Sequence, residues 1–152
     1  MRRKDKEIKD PKIIQDILKE NTICRIALSH KNTPYIIPMN YGYDGEYIFL
    51  HCAPEGRKMD ILKKNNRICF EITDSIELKS AERACSFSTK YRSVIGFGSV
   101  ITVSAPEEKS TGLQVIMKQQ TGRNGWSFAD KDINNIAVLK ITIDSISGKE
   151  SV

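Results

Sequence analysis

Within one eight-residue run, His51, Gly56, Arg57 and Lys58 bring together the groups that hold a small anion. Arginine presents a planar fork of donors and lysine a point charge, a combination suited to phosphate. The run follows an apolar segment, YIFLHC, and precedes Met59 and Leu62 at helical spacing, so it lies where a strand ends and a helix begins. Amides in the first turn of a helix are unpaired and carry a partial positive charge, and Gly56 lets an anion approach the backbone. Two basic residues also begin many solvated helices, but at this end they oppose the helix dipole, which favours an anion as their partner. No Gly-Lys-Ser/Thr follows, so the run is not a nucleotide-hydrolysing P-loop. His51 stands either as a structural histidine at a strand end or as the proton-handling group of the site. Asp60 is its local aspartate candidate, and nothing nearby completes a hydrolytic triad.

The elements that position these groups follow from the pattern of apolar residues. Asp10 and Pro11 form an N-cap and first-turn pair, and Ile13, Ile14, Ile17 and Leu18 give Pro11–Glu20 a buried stripe. From Thr22 the period becomes two, through TICRIALS and then Tyr35 to Tyr43. Pro38 cannot donate to a sheet ladder, which puts its strand at an edge or a bulge and frees neighbouring backbone groups for a ligand. Asp44-Gly45 predicts a hairpin that returns through Glu46–Cys52. Arg57–Lys64 reads as a short helix and Arg67–Thr73 as a strand. Asp74–Thr89 reads as a long exposed connection.

Tyr91–Ser104 is a long strand in which Gly96 and Gly98 mark a bend or room for something flat. The pair lacks the third glycine and the helix of a dinucleotide fingerprint. Ser104 to Glu107 reads as a capping box before a helix of about fifteen residues, whose stripe is Leu113, Ile116 and Met117. Trp126 sits on the loop Thr121–Asp130, where no core period requires it, and is a candidate ligand or partner contact. Ile136–Ile143 is a last strand before a polar tail. About six strands with few helices predict a β-rich fold, a closed antiparallel barrel with peripheral helices, because an open sheet would expose long edges.

The whole chain, residues 1–152, reads as a single domain with a mobile start over 1–9. Hydrophobic content of 39% with 28% charged residues fits a globular protein. No run reaches the roughly 18 apolar residues of a membrane helix, and the basic N-terminus has no apolar segment behind it, so the expected compartment is the cytoplasm. Four cysteines and two histidines supply no zinc spacing, and three of the cysteines lie in apolar strands as small buried thiols. The net charge of +5 is scattered rather than clustered, which fits a small anionic ligand better than nucleic acid.

Three stretches, CRIALSHKNTPYIIPMNYGYDGEYIFLHCAPEGRKMDILKKNNRICFEI, YRSVIGFGSV and WSFADKDINNIAVLKITIDSISGK, resemble the FMN-binding split-barrel superfamily related to pyridoxamine 5′-phosphate oxidase. Within it they are most similar to the branch of 5-nitroimidazole-resistance reductases. The resemblance implies an antiparallel six-stranded split barrel and a homodimer with flavin mononucleotide (FMN) between the subunits. It implies that Pro38, Met39, Asn40 and Tyr41 border the flavin ring, that His51 lies beside it, and that Ala53, Arg57 and Lys58 surround the phosphate. Arg92 and Trp126 would reach the same site from the partner chain. The Arg-x-Val-Leu-Leu-Lys strand and Ser-Arg-Lys element of true pyridoxamine phosphate oxidases are replaced here by CRIALS and by Gly56-Arg57-Lys58, so vitamin B6 oxidation matches less well. The expected function is an FMN-dependent oxidoreductase moving electrons from a small donor to a small acceptor such as a nitroaromatic compound. FAD, a deazaflavin or heme are the alternative cofactors, and a non-catalytic flavin- or heme-binding module is the alternative role.

Overall fold

The computed structural model describes residues 2–151. Asp10 caps the first helix as expected, accepting from Lys12 N at 2.8 Å, and α1 runs Pro11–Glu20 with Ile17 and Leu18 buried. Strands β2 (Ile23–His30), β3 (Thr33–Tyr43) and β4 (Tyr47–Cys52) follow. At the predicted hairpin, Asp44 Oδ1 accepts from Glu46 N at 2.8 Å and Tyr47 N at 2.7 Å. The short helix α2 spans only Arg57–Leu62. After it come β5 (Arg67–Lys79), β6 (Ser88–Val103), α3 (Pro106–Thr121), α4 (Asp130–Asn134) and β7 (Ala137–Ser151).

Every pairing in the sheet is antiparallel, and the order β7-β4-β3-β2-β5-β6 closes on itself because β6 also pairs with β7. This is the expected six-stranded barrel, with one addition. Glu7–Ile8 forms a two-residue strand, β1, against Lys149 and Gly148 of β7. Lys4–Lys6 form a short 3-10 turn before it, Lys6 donates to the Ser151 hydroxyl at 2.8 Å, and Ile8 is buried, so the start is folded against β7 rather than loose over 1–9; Met1 lies outside the described residues. The supposed polar tail is likewise the second half of β7. Its polar residues alternate around Ile146 and the buried Gly148, on which Ile8 and Ile14 rest.

The barrel interior holds Cys24, Ile26, Leu28, Ile48, Leu50, Phe70, Ile72, Val94, Leu139 and Ile141. Helix α1 closes the end where β2 begins, its neighbour Asn21 reaching Asp74. Helix α2 closes the other end, where Asn65 donates to Ser29 O at 2.8 Å. A second cluster forms where Leu113 and Ile116 of α3 pack on Phe49, Val103 and Val138.

Two local expectations need correction. Residues 74–89 are strand at both ends rather than a connection throughout: after a bulge at Ser75–Ile76, Glu77, Leu78 and Lys79 pair with Lys90, Thr89 and Ser88, and only 80–87 connect them. Polar side chains obscured this ribbon because it projects into water on both faces. The capping box does not form; Ala105 is the N-cap of α3 and no side chain caps it. The Gly96 and Gly98 expectation instead holds: both are buried within β6, the register against β7 shifts between Phe97 and Gly98, and the flat object over Gly96 is the protein's own Phe70 ring, directly opposite in register.

Candidate functional site

β3 decides where the barrel opens. On one side all of it up to Asn40 pairs with β2, from Thr33↔His30 to Asn40↔Ile23. On the other side only Tyr41, Gly42 and Tyr43 pair with β4. Residues 33–40, Pro38 among them, thus present an open edge, as the proline predicted. Tyr41 is where the edge closes: it is fully buried, its hydroxyl donates to Leu18 O at 2.7 Å, and Gln120 donates to its carbonyl at 3.0 Å.

β4 ends beside this opening. His51 pairs in register with Val138 and points outward, exposed, while Cys52 turns inward. Ala53 to Gly56 then turn the chain into α2, and Gly56 adopts φ 107°, a conformation that side chains rarely accept. Lys58 ties the pieces together. Its ammonium lies 3.6 Å from the Met39 sulfur of the open edge and beside the Cys52 thiol of β4. Burial raises the Cys52 thiol above its usual range, and the Lys58 charge pulls in the opposite direction. Arg57 lays its guanidinium over the Tyr35 ring at 4.7 Å.

Electrostatically, the site is unbalanced. Among the described residues neither Arg57 nor Lys58 has a carboxylate within 4.0 Å, although other arginines and lysines of the chain do. A half-buried ammonium facing sulfur rather than oxygen is poorly compensated, and an arriving anion improves its surroundings. With six residues, α2 supplies less field than the sequence reading assumed; the side-chain charges matter more.

The fold thus sets Lys58 against Met39 of the open edge, with Pro38 and Asn40 on that edge. His51, Ala53, Gly56 and Arg57 lie on the stretch from β4 into α2, and the Tyr41 side chain is turned into the interior. It does not bring Arg92 or Trp126 there within a single chain. Arg92 sits at the other end of β6, held by Asp74 at 2.8 and 3.1 Å and by Glu20 at 3.4 Å. Trp126 is pinned to α3 through Gln114 and donates its indole N–H to Arg123 O at 3.2 Å.

Sequence reasoning missed the outward face of the barrel. Ile36, Ala27, Cys69 and Phe97 lie side by side across β3, β2, β5 and β6, with Pro38, Arg25, Glu71 and Ile95 in the next row. Ile36 is 63% exposed and Phe97 51%. The signal was present in β6, where apolar residues occupy both parities, the mark of a strand covered on both faces.

The model of the pyridoxamine 5′-phosphate oxidase family matches residues 10–150, nearly the whole chain. The protein belongs to this family. Among solved structures, the chain is similar to a candidate 5-nitroimidazole antibiotic resistance protein from Bacteroides thetaiotaomicron. It is 30% identical, with 95% of this chain and 86% of that one covered at a TM-score of 0.85. The FAD and heme binding protein of Mycobacterium smegmatis (20% identity, 96% and 73% covered, TM-score 0.83) and the flavocytochrome Anf3 of Azotobacter vinelandii (20%, 100% and 72%, 0.85) share the fold. A search of curated proteins finds no match. Among the described residues no cluster of three metal-ligating side chains occurs, and no helix is long and apolar enough to cross a membrane.

Proposed function

We propose that the protein is a flavin-dependent oxidoreductase, a cytoplasmic homodimer that passes electrons from a small donor to a small acceptor of the nitroaromatic type. The observation that carries this reading is the pair Arg57 and Lys58, without carboxylate partners, beside the open edge of β3. The residues present fit a flavin phosphate at one end and a flat ring at the other. Arg57, Lys58 and the backbone from Ala53 to Gly56 hold the phosphate, and Pro38 to Tyr41 border the ring, with the edge of residues 38–40 left unpaired by β4. When bound, the flavin supplies the redox chemistry, accepting a hydride and passing electrons on. His51, exposed at the lip, is placed to hand a proton to the reduced acceptor. FMN is the smallest flavin with the required phosphate.

The outward apolar face on β3, β2, β5 and β6 supports the homodimer, because it shares β3 with the opening and would otherwise leave large side chains in water. Arg92 and Trp126, remote from the opening in one chain, would join it only from a second subunit. The test is spectroscopic. Purified protein supplied with FMN is expected to acquire a flavin spectrum that a nicotinamide donor bleaches and a nitroaromatic acceptor restores with turnover. A protein that takes up no flavin sinks the proposal, and flavin binding without turnover favours a binding module.

A further inference from the structure

β3 changes partners at Tyr41. Up to Asn40 it pairs with β2, and from Tyr41 to Tyr43 it pairs with β4. β2 starts at Ile23, opposite Asn40, so on that side residues 41–43 run past the end of their neighbour. One bond continues, from Tyr41 N to Thr22 O at 3.2 Å. Beyond it, two adjacent side chains of α3 take the place of the missing strand. Gln120 donates from Nε2 to Thr22 O at 2.9 Å and to Tyr41 O at 3.0 Å. Gln119 accepts from Tyr43 N at 2.7 Å and donates to Leu18 O at 2.9 Å and to Asn21 O. Both side chains are half-buried. They reach these groups because α3 lies directly on β3: a Cβ at Gly42 would come within 2.6 Å of the Ile116 backbone. The Tyr41 hydroxyl, donating to Leu18 O at 2.7 Å, fastens the same junction from the interior.

This junction decides where the open edge stops. Asn40 has no β4 partner and Tyr41 has one, so the free edge ends one residue before the carbonyl that Gln120 holds. A strand that slips by one residue turns every side chain to its other face, and side-chain bonds at the switch point oppose such a slip. We infer that Gln119 and Gln120 are positioning residues for the ring end of the flavin site, holding Tyr41 and with it the edge from Pro38 to Asn40; this rests on the flavin reading given above. Glutamine suits the task because its amide offers a donor and an acceptor together. Gln119 uses both at once, joining β3 to the end of α1. A carboxylate could not donate to these carbonyls, and an apolar side chain would leave them without a partner. The phosphate end is built separately, from α2 and the turn before it, and neither glutamine reaches it.

Gln120→Leu removes the two hydrogen bonds at similar side-chain volume. Lys109→Met is the control, because Lys109 of the same helix also donates to two backbone carbonyls, of Ile133 at 3.3 Å and Ile136 at 2.9 Å, away from β3. Each full-length protein is titrated with riboflavin and with FMN by fluorescence and unfolded in urea. Gln120→Leu is expected to weaken both ligands alike by about three- to tenfold, the scale of one lost neutral hydrogen bond. The visible absorption bands of its bound flavin are expected to move, because the backbone beside the ring is displaced. Lys109→Met is expected to lower the urea midpoint and to leave both affinities and the bands as in the natural protein. If Gln120→Leu does not fold, Gln120→Asn, which withdraws the amide by one carbon, carries the same expectation. Unchanged riboflavin affinity and bands in the Gln120 variant, or changes that Lys109→Met reproduces, overturn the inference and leave the flavin reading standing. A natural protein that binds neither ligand overturns both.

Discussion

Replacing Lys58 with glutamine isolates the charge at the centre of the proposed site. The side chain is half-buried, lies 3.6 Å from the Met39 sulfur, and has no carboxylate partner among the described residues. A charge-assisted hydrogen bond from such a group contributes about 1.5–3 kcal/mol, which corresponds to a loss of about 10- to 150-fold in affinity when the charge is removed. Lys58→Gln should therefore weaken FMN by that factor. Riboflavin has the same ring and no phosphate, so its affinity should change by less than about twofold. Fluorescence titrations of both ligands measure the difference directly. The variant should also react more slowly at Cys52, because burial already raises that thiol and the opposing Lys58 charge is gone. If FMN and riboflavin weaken equally, or FMN is unaffected, Lys58 does not hold a phosphate and the division of the site into two ends is wrong.

Three further outcomes follow from the packing and the ion pairs. Gly96→Ala would drive a methyl into the Phe70 ring, costing about 1–3 kcal/mol; a urea midpoint equal to that of the natural protein would contradict this packing. Phe97→Arg puts a charge on the exposed apolar face, and light scattering should then report a monomer for the variant and the proposed dimer for the natural protein; a variant that stays dimeric would rule this face out as the interface. At Asp74, burial acts to raise the carboxyl, but hydrogen bonds from Arg92, Ser75 and Asn21 and the Arg92 charge outweigh it, so its pKa is lowered on folding. That stabilisation is complete above the unfolded value of about 3.9 and is lost as the pH falls through the lower folded value. Asp74→Asn should accordingly be less stable near pH 7, with the gap closing below about pH 4; a gap constant from pH 7 to pH 3 in urea unfolding would show that the ion pair contributes nothing.

Much of the site was legible because its signals are local. Proline lacks an amide proton wherever it sits, so Pro38 marked an interrupted edge before any partner strand was known. Gly56, Arg57 and Lys58 form a basic turn that residue type and order alone mark as a candidate anion site. The errors came where polar residues form strands. Residues 74–79 and 144–151 alternate too weakly to read, because their pairing depends on distant neighbours: β6 for the first, and both β6 and Glu7–Ile8 for the second. The outward apolar face was overlooked for a related reason. Alternation along β3 and β6 separates Ile36 from Ile37 and Phe97 from its neighbours, and only the sheet reveals which face of each strand looks away from the barrel.

From its residues alone this chain specifies a β-rich barrel, a capped first helix, a hairpin at Asp44-Gly45 and a basic turn after His51. The last three depend on interactions within a few positions, where the chain has little freedom to choose otherwise, and the barrel is read from strand count and pattern. Tertiary structure decided the rest. β4 meets β3 over three residues only, and that short ladder leaves the edge at Pro38 open. The same closure brings Lys58 against Met39, nineteen positions away in the chain, and Arg57 over the Tyr35 ring. Hydrogen-bond ladders between distant strands set these distances, so the shape of the opening belongs to the closed barrel rather than to any one segment.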